Sequence, residues 1–119
     1  MRVLLDTNIV IYHLKGDVIL PQIGVSFVIS VITQAELLRH PQAMDNDLAL
    51  IEAWFTTVDI IPIDSSIARR AAEIGRNHRS YKLPDLLIAA TALELGVPLV
   101  TKNTKDFMNI LRLIVKESV

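Results

Sequence analysis

Short, continuously apolar runs alternate with segments of helical periodicity along the whole chain, and this alternation constrains the fold most. "RVLL", "VSFVIS", "VDIIPI", "PLVT" and "LRLIV" read as strands. Their lack of polar alternation is what strands need when both faces of a sheet are covered. Between them, helices are expected over Thr7–Leu14, Val31–Arg39, Asp45–Phe55, from the cap Asp64 to Arg79, over Leu83–Leu95, and over Thr104–Asn109. Gly16 and Gly96 close two of them, and Pro41 stops another. Ile67, Ala71, Ile74 and His78 fall on one helical stripe, which makes His78 a packed histidine. Strand–helix alternation of this kind predicts an α/β sandwich on a mainly parallel sheet. Pro62 puts "VDIIPI" near a sheet edge. Residues 1–119 fit one domain, since the length suits a single core.

In such sheets ligands bind beyond the carboxyl ends of the strands. Asp6 follows the first strand, and Asn103 and Asp106 follow "PLVT". Glu36 lies in "SVITQAELL" and Asp85 at the head of an almost wholly apolar helix. Each has an ordinary reading. Asp6 can cap the next helix. Thr33 and Glu36 have capping-box spacing, although Ser30 is the better-placed cap. Pro84 and Asp85 are normal helix-start residues. Asn103 or Thr104 can cap the short helix, with Asp106 in its first turn.

Together the acids say more. Asp6, Glu36, Asp85 and Asp106 each end a core element instead of decorating a solvated face. Carboxylates brought together repel and take up protons unless a cation joins them. Oxygen ligands and the absence of cysteine favour Mg²⁺ or Mn²⁺ over zinc. Lack of cysteine also excludes disulfides. No apolar stretch reaches membrane-span length and no signal-peptide pattern opens the chain, so a cytoplasmic protein is expected.

The stretches "LLDTNIVIY", "SVITQAELL" and "LPDLLIAATALELGVPLVTKNTKDF" resemble the PIN-domain ribonucleases, specifically the VapC-type toxins of toxin–antitoxin pairs. The resemblance spans nearly the whole chain in order. It implies a three-layer α/β/α sandwich with a five-stranded parallel sheet and an acidic pocket for Mg²⁺ or Mn²⁺. It maps the three main acids onto Asp6, Glu36 and Asp85. At a fourth acidic position this chain carries Asn103, and Asp106 three residues later is the candidate replacement. The implied activity is hydrolysis of RNA to 5′-phosphate and 3′-hydroxyl ends. Homodimerisation and inhibition by a cognate antitoxin are implied as well.

Thr7, Asn8, Thr101 and Asn103 suit the positioning of those acids, and each equally suits turn or cap chemistry. Arg76, Arg79, Lys82, Lys102 and Lys105 are candidate phosphate contacts. The chain is not a generic basic nucleic-acid binder, with 12 basic against 13 acidic residues. Setting aside the four candidate acids leaves 9 against 12, a mildly basic remainder. His13, His40 and His78 share no spacing, and Trp54 and Phe55 suit core packing better than an interface. A receiver domain wants paired acids after the first strand, and a D-x-D phosphatase wants an acid where Asn8 stands. A PIN-like module that binds without cleaving remains the competing reading, because of Asn103.

Overall fold

The computed structural model describes residues 1–21, 23–39 and 48–119. His40, Pro41 and the expected helix start at Asp45 lie outside the described residues. In chain order the elements are β1 (Arg2–Leu5), α1 (Thr7–Lys15), β2 (Ser26–Ser30), α2 (Val31–Arg39), α3 (Leu48–Phe55) and β3 (Asp59–Ile61). They continue with α4 (Ser65–Asn77), α5 (Leu83–Leu95), β4 (Leu99–Val100), α6 (Thr104–Phe107) and β5 (Val115–Lys116). The five strands form one sheet in the order β3-β2-β1-β4-β5, and every pairing is parallel. β3 lies at an edge, where Pro62 follows it without costing an interior ladder bond.

Successive strand residues point to opposite faces, and the core divides accordingly. Leu4, Val28 and Leu99 pack with α4 and α5 through Ile67, Ala71, Ile74 and Ile88. Val3, Leu5, Ile29 and Val100 pack on the other face with Ile9 and Val10 of α1, Leu37 of α2, and Ile51 and Phe55 of α3. The result is the expected three-layer sandwich. Phe55 belongs to that core, with Trp54 packed against its margin.

α5 is apolar on nearly every side because it is buried along most of its length, including Leu86, Ile88, Ala89, Ala90 and Ala92. Gly96 ends it in the left-handed region at φ 67°, a conformation that costs a side-chain-bearing residue energy.

Strands β2, β3 and β4 are each shorter than their expected runs, and other boundaries move as well. α4 stops at Asn77, two residues short of Arg79, and His78 leaves the helical stripe with φ −139° and ψ 73°. The turn that feeds α5 begins there, closed by Tyr81 N–H donating to the His78 carbonyl at 3.2 Å. The expected last strand "LRLIV" becomes a turn, with Arg112 at φ 70°, and β5 starts only at Val115. Its apolar run misled because Leu111 and Ile114 are exposed. α6 ends at Phe107, two residues before Asn109.

Asp64 caps α4 as its sequence position suggested, accepting from Ile67 N–H at 2.9 Å. Asp64→Ala should lower unfolding free energy by about 1 kcal/mol, the usual worth of such a cap. Urea denaturation measures this, and any nuclease activity should be unchanged.

Candidate active site

The sheet reverses its winding between β1 and β4. From β1 the chain moves outward to β2 and β3, then crosses back to β4 and β5. A crevice opens outside the carboxyl ends of the strands at such a switch point. Asp6 is the first residue past β1 there. Its backbone N–H extends the ladder to the Val100 carbonyl at 2.9 Å, which fixes the side chain at the crevice.

Asp6 is only 5% exposed. One carboxylate oxygen accepts from Thr7 N–H at 2.8 Å. The other accepts from the Thr101 hydroxyl at 2.7 Å. That hydroxyl in turn accepts from Asn103 N–H at 3.0 Å. Asp6 therefore caps α1, as its ordinary reading had it, and also lines the crevice.

Glu36 is exposed on α2, and its Oε1 accepts from the Thr7 hydroxyl at 2.7 Å. Thr7 and Thr33 hydroxyls lie 2.9 Å apart. A hydroxyl has one proton, so Thr33 donates to Thr7 and Thr7 donates to Glu36. The capping-box reading of Thr33 and Glu36 is thereby replaced. The cap of α2 is Ser30, whose Oγ accepts from Ile32 N–H at 3.0 Å.

Asp85 sits half-buried in the first turn of α5, just after Pro84. Among the described residues nothing donates a hydrogen bond to its carboxylate. Asp106 is exposed in the first turn of α6. Asn103 occupies the cap position of that helix, but its side chain makes no capping bond. It lines the pocket instead.

Asp6, Glu36, Asp85 and Asp106 line one pocket of about 350 Å³, with Thr7, Asn8, Asn103 and the apolar walls Ile11, Leu37 and Phe107. A second hollow, about 280 Å³, lies at the opposite ends of the strands beside His13 and Trp54. Its acid, Asp59, lies 3.9 Å from Arg2.

Electrostatics follow from the gathering of like charges. Burial pushes the Asp6 carboxyl up, and the charges of Glu36 and Asp106 add to it, against the hydrogen bonds from Thr101 and Thr7. Burial also raises Asp85, reinforced by Asp6, Glu36 and Asp106 and opposed by Lys82. The donor set thus fits a hard divalent cation. Among the described residues no three His, Asp or Glu side chains close into a finished ligand cage. Mg²⁺ does not need one, since it keeps several waters and takes one or two carboxylates plus substrate phosphate.

Of the basic candidates, all five are exposed and none lines the pocket. Lys82 is near enough to act on Asp85. Lys102 borders a separate groove with Ile19 and Glu117. Two contributors escaped the sequence reading: Thr33, seen there only as a capping-box member, and Tyr81, whose surroundings include Asp106 and Asp85. The pairing of Thr33 with Glu36 three residues on, which places both on one helix face, was the available signal for the first.

A parallel α/β sandwich with carboxylates gathered at its switch point is an acidic-pocket domain suited to cation-assisted chemistry on anionic substrates. The PIN domain family model matches residues 3–110, and the chain belongs to that family. It is 32% identical over 115 residues to ribonuclease VapC19 of Mycobacterium tuberculosis, covering 87% of this chain and 90% of that protein. It is 29% identical over 119 residues to the tRNA(fMet)-specific endonuclease VapC of Shigella flexneri, covering 90% of each. Among solved structures, a toxin–antitoxin complex from Klebsiella pneumoniae contains a chain 30% identical, with TM-score 0.75 and coverage of 98% of this chain and 99% of that one. VapBC2 of Rickettsia felis, 23% identical, shares the fold at TM-score 0.82 over 98% of each chain.

The raised Asp85 carboxyl has a stability consequence. The folded chain holds this proton more tightly than the unfolded chain. Ionisation therefore costs stability as pH rises past the ordinary value of 3.8, and the cost is complete above the folded-state value. Asp85→Asn should raise the melting temperature of metal-free protein at neutral pH. The gain should vanish as pH falls toward 3.8. Thermal melts of both proteins across pH, in chelator, test this.

Proposed function

We propose that this chain is a metal-dependent endoribonuclease and the toxin of a VapC-type toxin–antitoxin pair. The observation that carries the reading is the set of four mutually interacting carboxylates in one pocket at the switch point, with Asp6 buried among them. Family membership and the ribonuclease and endonuclease names of the relatives support it.

Asp6, Asp85 and Glu36 would hold Mg²⁺ or Mn²⁺, which supplies positive charge at a scissile phosphate and acidifies water. The remaining work falls to the chain. Thr101 and the Thr7 amide aim the Asp6 carboxylate and oppose the upward push of burial on its ionisation. Thr7, braced by Thr33, aims Glu36. Such partners commonly change metal affinity or activity by about 10–100-fold when removed. Asp106 brings to the rim the charge that Asn103 lacks. Ile11, Leu37 and Phe107 give the pocket an apolar wall that limits water. Attack of water on phosphorus with departure of the 3′ oxygen leaves 5′-phosphate and 3′-hydroxyl ends.

Arg76, Arg79, Lys82, Lys102 and Lys105 would contact RNA phosphates outside the pocket. Structured tRNA is the first substrate class to try, given the Shigella flexneri relative. An antitoxin partner is supported by the toxin–antitoxin complexes that share the fold, and we include a homodimer in the proposal. No described helix is long and apolar enough to cross a membrane.

Asn103 favours a second reading, a PIN domain that binds RNA without cutting it. End-labelled single-stranded RNA and tRNA, incubated with protein free of antitoxin, separate the two. Cleavage should require Mg²⁺ or Mn²⁺ and should fall at least about 100-fold in Asp6→Asn, which removes a charged ligand from the centre of the site. RNA binding without ion-dependent cleavage would establish the second reading.

A further inference from the structure

The loop between α4 and α5 reads His-Arg-Ser-Tyr-Lys over residues 78–82 and ends at the head of the helix that carries Asp85. Its turn brings the rings of His78 and Tyr81 to 5.4 Å between centroids, tilted by 54°. Tyr81 packs in part against the core layer of α4 and α5, so the ring is held in place, yet it remains half-exposed. Arg79 and Lys82 flank it and are exposed. Tyr81 lies four residues before Asp85, which lines the pocket from the first turn of α5, and the charges of Asp106 and Asp85 reach its phenol. Burial and those two charges push its ionisation up, so the hydroxyl stays a neutral donor.

A packed, partly exposed aromatic ring in a short loop that also carries two exposed cations is the chemistry of single-strand recognition. Bases stack on such rings while the cations take the backbone. Core packing alone accounts for the buried part of Tyr81. It does not account for the exposed part of a ring paired with His78, four residues before Asp85, in a loop that also carries Arg79 and Lys82.

We propose that Tyr81, braced by His78, is the platform on which one base of the RNA substrate stacks beside the acidic pocket, with Arg79 and Lys82 taking the adjoining phosphates. This rests on the ribonuclease reading above. It makes Tyr81 a positioning residue, acting on where the strand lies and not on the bond that breaks.

The test is fluorescence anisotropy with a short labelled single-stranded RNA and an Asp85→Asn protein that leaves it uncut. One abasic nucleotide is walked along the RNA. Adding Tyr81→Leu to this parent should weaken binding at least about fivefold, the lower end of what a stacked base contributes. Tyr81→Phe, which keeps the ring, should bind like the parent. One abasic position should weaken binding to the parent and have no effect on the Tyr81→Leu variant. Equal binding by the parent and the Tyr81→Leu variant would overturn the platform and leave the ribonuclease reading intact. Failure of the parent to bind this RNA at all would overturn the platform, and the cleavage assay on tRNA decides the ribonuclease reading separately. Should Tyr81→Leu not fold, the abasic walk on the parent decides. A drop confined to one position supports the platform, and equal affinity at every position refutes it.

Discussion

A buried carboxylate at the point where the sheet changes direction organises this molecule. Asp6 is bonded through its backbone to β4, through one oxygen to the start of α1, and through the other to Thr101 beyond β4. Thr101 passes the connection to the Asn103 amide at the head of α6. Thr7, the next residue, reaches across to Thr33 and Glu36 on α2. Removing a carboxylate from water is expensive unless it is hydrogen-bonded and paired. Here both carboxylate oxygens are hydrogen-bonded, and among the described residues no cation pairs with the charge.

That shortfall is the reason we propose a cation for the pocket. Four acids line one hollow, and burial, reinforced by their like charges, raises the proton affinity of Asp6 and Asp85. A fold selected only for stability has no reason to keep them together. A divalent cation would remove the repulsion, the same coupling of charge, protons and metal found wherever ligands must first be deprotonated. Asn103 softens the repulsion by one charge, while Asp106 restores a charge at the exposed rim, where water screens it.

Much of this was legible in the sequence, because each strand is a compact apolar run and the acids fall just beyond strand ends or at helix heads. "RVLL" gives β1 to the residue, and Asp6 follows from it. The sheet edge at β3 followed from Pro62. The illegible parts depend on contacts distant in sequence. "LRLIV" looks like a buried strand, but its Leu111 and Ile114 are at the surface, which no local pattern discloses. His78 looked like a core residue on a helical stripe, and the helix ends one residue too early for that. Thr33 and Thr7 are 26 residues apart, so their bond was invisible to spacing rules that work within one helix. The same holds for Tyr81, whose neighbours Asp85 and Asp106 come from two different helices.

The most direct test of the central claim is diffraction from crystals grown with Mn²⁺, recorded for its anomalous signal. The account predicts a peak in the pocket within bonding distance of Asp6 and Asp85, with Glu36 close by. A well-ordered pocket that shows no such peak at saturating Mn²⁺, or a peak bound only elsewhere, would contradict it. The four acids would then be caps and surface charges gathered without a common ligand.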